Sequence, residues 1–139
     1  MSGRTLEELD GVVWREPEWD LGKRCNALRK KPLVQFTPGD LRLLLNQNES
    51  LEILVPMAIA ILERDPMVDG EFYPGDLLLA VLRVNPPFWV EQPALAARLL
   101  TIADGVDAIV RQVTPMATGG TEHQLITYID AFRETCGRQ

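Results

Sequence analysis

The sequence predicts an all-α protein, a single compact domain spanning residues 1–139 and built of helical hairpins with about six to seven helices. Apolar residues recur at intervals of three and four along the chain, and no segment alternates in the manner of a half-buried strand. The phrase Phe36-Thr37-Pro38-Gly39-Asp40-Leu41 also returns, 36 residues later, as Phe72-Tyr73-Pro74-Gly75-Asp76-Leu77. Because Pro and Asp favour the first turn of a helix, each copy predicts a helix start. The near-repeat therefore indicates a helix-turn-helix unit.

The first half of the chain is predicted to contain four helices. Their apolar positions are, in order, Leu6 and Leu9; Leu21, Cys25 and Leu28; Leu41, Leu44 and Leu45; and Leu51, Leu54, Val55, Ala58, Ile59 and Leu62. Thr37 is placed to cap the third helix, in a variant of the capping box that Asp40 completes. The fourth helix is apolar around most of its girth, which predicts that it lies at the centre of the fold. Pro56 is expected to kink it.

Three further helices are predicted in the second half. Their apolar positions are Leu77, Leu78, Val81 and Leu82; Leu95, Leu99, Ile102, Val106, Ile109, Val110 and Val113; and Leu125, Ile129, Phe132 and Cys136. Pro93 is expected to begin the longest helix, and Thr121 with Gln124 predicts a capping box at the start of the last one. Phe88-Trp89, which follows two prolines, predicts a short turn fixed to the core.

Charge indicates the kind of partner. The chain has 20 acidic and 14 basic residues, a formal net charge of −6 and a pI near 4.8, which disfavours nucleic acid and favours a basic partner. The first candidate binding residues lie across one turn, where carboxylates can converge: Glu63, Asp65, Asp69, Glu71 and Asp76. The second candidates lie near the N-terminus: Glu16, Glu18, Asp20 and Trp19. The alternative for either cluster is an ordinary solvated surface, and capping also explains Asp40 and Asp76.

The residues give little support to catalysis. The single histidine, His123, has no serine or cysteine nucleophile near it in sequence, and the glycines lack phosphate-loop spacing. Cys25 and Cys136 do not form a C-x-x-C pair and are predicted to be small buried hydrophobes. We therefore expect no enzymatic activity, no catalytic residues, no cofactor and no metal. Because the chain has neither a membrane-length apolar run nor an N-terminal signal segment, we expect a cytoplasmic protein without membrane contact. We also expect it to be monomeric when free.

Several phrases in the first two thirds of the chain resemble the bacterial contact-dependent growth inhibition immunity proteins. The phrases are Thr5 to Gly11 with Trp14 and Pro17, Arg29 to Leu33, Phe36-Thr37 with Asp40 to Arg42, Leu54 to Pro56, Gly70 to Leu78, and Phe88-Trp89. The resemblance implies a small cytoplasmic protein that neutralises the C-terminal toxin domain of a large exported exoprotein. It assigns no binding residues.

Two functions from different classes follow from these observations. The first is an immunity protein whose acidic surface covers a basic, nuclease-like active site of its cognate toxin domain. The second is a helical-hairpin adaptor that binds an endogenous protein partner and has no toxin. The two differ in what genomic context they predict, since an immunity protein is expected beside a gene for a very large secreted exoprotein.

Overall fold

The computed structural model describes residues 3–113 and 120–137 of the chain, with side chains for residues 3–110 and 124–136. This part is helical and contains no strand, only an isolated bridge between Asp69 and Pro74. The all-α class is therefore confirmed. The helices are α1 (Leu6–Asp10), α2 (Asp20–Arg29), α3 (Pro38–Asn46), α4 (Leu51–Arg64), α5 (Asp76–Leu82), α6 (Pro86–Glu91), α7 (Pro93–Val113) and α8 (Gly120–Gly137), with a 3-10 turn at Leu33–Gln35.

The predicted start of α3 is confirmed. The Thr37 hydroxyl accepts a hydrogen bond from the Asp40 N–H at 3.1 Å, and the Asp40 carboxylate accepts one from the Thr37 N–H at 3.0 Å. Pro38 occupies the first helical position, where its missing N–H has no partner to lose. Asp therefore replaces the usual Glu or Gln of a capping box without loss of either hydrogen bond.

The second copy of the repeated phrase does not build the same helix start. Helix α5 begins at Asp76, two residues later than the counterpart of Pro38, and is preceded by Gly75 with φ of +92°. Tyr73 has no short hydroxyl side chain to cap the helix, and the Asp76 carboxylate turns back to the preceding loop. The near-repeat therefore holds in sequence, whereas the two copies differ in structure.

The centre of the fold is α5, and the prediction that α4 would occupy it is wrong. Every residue of α5 is buried, and the helix packs against α3, α4 and α8. One side of α4 faces solvent, where Glu52 and Glu63 are exposed. The apolar girth of α4 indicated burial, but its polar positions are concentrated on one face. Helix α4 runs unbroken through Pro56, and a kink there stays a prediction.

The segment Pro86–Glu91 forms an additional short helix, α6, where the sequence predicted a turn. This makes eight α-helices in the described residues, one more than the upper expectation. Trp89 is 1% exposed and packs edge-to-face against Phe88 and Phe132, with ring centroids 5.2 and 5.3 Å apart. The segment is thus fixed to the core as predicted, in a helical conformation that Pro86 at the first position permits.

The remaining expectations concern cysteine and the start of α8. Cys25 is buried and Cys136 half-buried, both are free thiols, and burial raises the pKa of each. Because α8 begins at Gly120, Thr121 lies within its first turn, not before it. The side chains of Thr121 and His123 lie outside the described residues, so the capping box stays a prediction.

Candidate functional site

The first candidate site is the loop of residues 65–75 that joins α4 to α5, hereafter the acidic turn. Arg42 of α3 supports it from beneath. The Arg42 Nε donates a 2.8 Å hydrogen bond to the Gly70 carbonyl and lies 3.7 Å from an Asp76 carboxylate oxygen. The Arg42 side chain is 8% exposed. A buried guanidinium with a carbonyl and a carboxylate around it fixes the backbone of the turn from within.

Asp76 completes this support and does not reach the surface. Its two carboxylate oxygens accept hydrogen bonds from the N–H groups of Gly70 and Phe72, the latter at 3.1 Å. Its side chain is 2% exposed. Asp76 therefore holds the conformation of the turn and is not available for direct contact with a partner, although the sequence placed it among the candidate binding residues.

Asp69, Glu71 and Phe72 form the outer surface of the acidic turn. Asp69 accepts a 2.8 Å hydrogen bond from the Glu71 N–H, and the carboxylates of both residues remain exposed. Phe72 is 69% exposed, with the Arg42 guanidinium 4.2 Å from its ring centroid. The turn thus presents two carboxylates and an aromatic ring that is fixed in place by a cation on one face.

Glu71 has a backbone conformation that is costly for any residue except glycine. Its φ is +94°, and its side chain occupies the space over Gly39 that a Cβ on that glycine would take. The copies of the repeated phrase therefore meet in space, because Gly39 belongs to the first and the acidic turn leads into the second. A strained, exposed carboxylate at this position is a reason to suspect a function for it.

Glu63 and Asp65 lie apart from this outer surface. Glu63 forms a two-contact ion pair with Arg98 of α7, at 2.6 and 3.1 Å, and this hydrogen bonding holds the pKa of the Glu63 carboxyl below its ordinary value. Its charge is thus matched within the chain. Asp65 follows the end of α4 and is exposed. The structure brings Asp69 and Glu71 together on one surface, whereas Glu63 connects two helices.

The N-terminal candidates form a separate surface on the segment that leads into α2. Glu16 accepts a 2.8 Å hydrogen bond from the Asn26 side chain, while Glu18 and Asp20 are exposed. Trp19 is 65% exposed, and its indole occupies the space that a Cβ on Gly22 would fill. This surface also combines carboxylates with a fixed aromatic ring.

The basic residues of and after α2 are largely matched by acidic ones. Arg29 is 2% exposed, contacts both carboxylate oxygens of Asp10 at 2.8 Å and lies 4.9 Å from the Trp14 ring centroid. Its hydrogen bond lowers the pKa of the Asp10 carboxyl. Lys30 pairs with Glu7 at 2.7 Å. These pairs neutralise acidic as well as basic charge, and Glu71 of the acidic turn itself lies 4.0 Å from the Arg42 guanidinium.

Sequence reasoning missed the roles of Arg42 and Phe72. Arg42 stands between Leu41 and Leu43 in an otherwise apolar run, and a charged residue in such a run signals a buried partner. Phe72 was assigned to the repeated phrase as a scaffold residue. Its exposure depends on the path of the turn, which φ of +94° at Glu71 determines.

The described residues bear on metal binding, on a membrane span and on contact with another protein. Among the side chains that the structure describes, those of residues 3–110 and 124–136, no three of His, Cys, Asp or Glu are grouped so that they could hold a metal ion. No described helix combines the length and apolarity of a membrane span. The site instead offers fixed carboxylates beside an exposed aromatic ring, a combination suited to a basic protein surface.

The chain belongs to the family of CDI (contact-dependent growth inhibition) immunity proteins. The model of that family matches residues 8–99, about two thirds of the chain. This match confirms the resemblance noted in the sequence and includes both acidic surfaces. No curated protein and no solved structure matches the chain.

Proposed function

We propose that this chain binds and neutralises the C-terminal toxin domain of its cognate contact-dependent growth inhibition exoprotein. Membership of the immunity family carries the proposal and favours it over an adaptor without a toxin. In this account the protein acts in the cytoplasm of the producing cell, as a monomer when free, and inhibits by binding without catalysis.

The acidic turn is the contact surface in this proposal. The observation that supports this choice is the pair of buried residues Arg42 and Asp76, whose hydrogen bonds hold the backbone of the turn. The exposed carboxylates of Asp69 and Glu71 are therefore held in position before any partner binds. A surface that is already ordered loses little conformational entropy on binding. Phe72 adds an exposed aromatic ring at the same place, and aromatic residues are over-represented among the residues that dominate binding energy.

The proposed target surface is a basic, nuclease-like active site. A site that holds phosphate must be positively charged, so it attracts a protein whose net charge is −6. Electrostatic attraction of this kind raises the association rate, to on the order of 10⁸ M⁻¹s⁻¹ or more at low salt. Occupation of the site by the carboxylates would exclude the substrate.

The function is tested by producing the chain in cells that make the cognate toxin domain. Growth should be rescued, and rescue should fail with toxin domains from unrelated exoproteins. A toxin domain that neither binds the chain nor loses toxicity in its presence would contradict the proposal and restore the adaptor.

The surface is tested with two double variants of equal charge. Asp69→Lys with Glu71→Lys alters the acidic turn, and Glu18→Lys with Asp20→Lys alters the N-terminal surface. Each pair raises the formal net charge by four. We expect the first pair to slow association with the toxin domain at least tenfold at low salt and to flatten its salt dependence, while helicity measured by circular dichroism stays unchanged.

The second pair is the matched control and should have a much smaller effect. If it slows association and the first does not, the N-terminal surface with Trp19 is the interface. If neither pair changes the rate across a range of salt, both acidic clusters are solvated surface.

A further inference from the structure

An apolar groove of about 580 Å³ lies between the end of α4 and one face of α7. Its apolar lining includes Leu62, Met67, Ile102, Val106 and Ile109. The contributing residues of α7 run from Arg98 to Val110, a little over three turns, so the groove is roughly 18 Å long. Ile109 at its edge is 63% exposed. An apolar side chain so exposed beside a groove indicates a surface that another molecule can cover.

Gly105 gives a second, independent indication. It lies in the interior of α7 and lines the groove. Glycine lowers helix stability relative to alanine, so a helical glycine calls for a reason. The usual reason is close packing, but a Cβ added at Gly105 would meet no described atom within 4 Å. The packing of the described residues therefore does not require glycine here, whereas an outside molecule that enters the groove would use the open space.

The groove is continuous with the acidic turn. Asp65 and Met67 belong to the turn and also line the groove, and the Met67 methyl group lies 2.9 Å from the position of a Cβ on Gly75. At the rim, Glu63 and Arg98 neutralise each other through their 2.6 Å ion pair. Asp65 is exposed beside them. The groove thus adjoins the first residues of the acidic turn, Asp65 to Met67, and not its outer surface.

We infer that this groove receives an amphipathic segment of the same toxin domain, with apolar side chains along α7 and a basic residue beside Asp65. The inference rests on the proposed function. A basic partner complements the exposed carboxylate of Asp65 at the rim, whereas a second copy of this chain would bring the same carboxylate and a net charge of −6 with it. Docking of an amphipathic segment in a groove between helices is a common mode of recognition.

The test compares two variants of α7 that add the same side chain at neighbouring positions. Gly105→Leu adds bulk at a position that lines the groove, whereas Ala108→Leu adds the same bulk at an exposed position outside it. The probe is the cognate toxin domain, and the measurement is its dissociation rate by surface plasmon resonance. We expect Gly105→Leu to accelerate dissociation at least tenfold and to leave the denaturation midpoint equal or higher. Ala108→Leu should stay within twofold of wild type.

Equal dissociation rates for the two variants would overturn the inference while leaving the proposed function intact. Failure of the wild-type chain to bind would instead remove both. A wild-type dimer in sedimentation that Gly105→Leu abolishes, with toxin binding unchanged, would make a second copy the occupant and also overturn the inference.

Hydrogen exchange on the wild-type complex provides a check that needs no variant. The amides of residues 102–110 should exchange more slowly once the toxin domain is bound. Unchanged exchange along this stretch would overturn the inference even if Gly105→Leu failed to fold.

Discussion

Replacement of Asp76 by Asn tests whether this residue holds the acidic turn together. The carboxylate accepts hydrogen bonds from the N–H groups of Gly70 and Phe72 and lies 3.7 Å from the Arg42 Nε. An asparagine has one acceptor oxygen, so its NH₂ group would face one of the two N–H donors. The Arg42 guanidinium would also lose its buried counter-charge.

The expected cost follows from these two losses. A hydrogen bond to a charged group contributes about 1.5–3 kcal/mol, and the loss of one partner of a fully buried ion pair costs about 3–5 kcal/mol. Arg42 keeps its hydrogen bond to the Gly70 carbonyl and its contact with the Phe72 ring, which reduces the second loss. We therefore expect the free energy of unfolding to fall by about 2–4 kcal/mol, and Tm by roughly 10 °C.

Urea denaturation followed by circular dichroism measures this change. Asp65→Asn is the matched control, because Asp65 is exposed and flanks the same turn, and it should alter the free energy of unfolding by less than about 0.5 kcal/mol. Asp76→Asn should also weaken toxin binding, since the outer surface loses its support. If Asp76→Asn is as stable as its control, the buried frame of Arg42 and Asp76 does not hold the turn.

Three other substitutions give distinct readouts. Glu71→Gly removes the strain at φ of +94°, so the free energy of unfolding should stay equal or rise by up to about 1 kcal/mol. Association with the toxin should slow, because one carboxylate is lost. A large loss of stability would show that the backbone at Glu71 is not strained. Asp10→Asn should lower the free energy of unfolding by about 1–2 kcal/mol at pH 7, because Arg29 lowers the pKa of Asp10 in the folded state. The loss is no larger because solvent screens the partly exposed ion pair. That contribution is present above the unfolded pKa and is lost as pH falls through the folded pKa, so denaturation at pH 2 should show no difference. Trp89→Ala should lower the free energy of unfolding by about 3–5 kcal/mol, and Trp89→Phe, the smaller truncation, should lower it less. Near-equal stability of the two variants would contradict the edge-to-face packing at this position.

Local sequence signals predicted most of the helices. Thr37, Pro38 and Asp40 act within one turn, so their capping pattern determines where α3 begins whatever surrounds it. Pro93 likewise marks the start of α7, which extends to Val113 as its apolar spacing predicted. In both cases the signal and the structure that it determines lie within a few residues of each other.

Features that depend on distant residues could not be predicted in the same way. Asp76 was expected in the first turn of a helix, as Asp40 is, and it does begin α5. Its carboxylate does not cap that helix: it accepts hydrogen bonds from Gly70 and Phe72 and lies beside Arg42, which belongs to another helix. The central position of α5 was missed for the same reason. Its seven residues are fewer than the apolar residues of α4, and only the packing of α3, α4 and α8 around it shows that it is enclosed.

The sequence predicted the region of the candidate site, but not which of its carboxylates lie on the outer surface and which form ion pairs within the chain. The sequence indicated that acidic residues gather across the turn, and Asp69 and Glu71 do lie together on its outer surface. It did not indicate that Arg98, 35 residues further along the chain, pairs with Glu63. Which carboxylates remain unmatched is a property of the tertiary structure, because ion pairs form between helices that are distant in sequence.

Titration of the purified cognate toxin domain with this chain tests the central claim most directly. The account predicts that toxic activity falls linearly and reaches zero at one equivalent of the chain, and that full activity returns when denaturation separates the two and the toxin is refolded. Complete inhibition by a small fraction of an equivalent, with toxin that stays inactive after separation, would show a catalytic mode of protection. Undiminished toxin activity at a large excess of the chain would contradict neutralisation altogether.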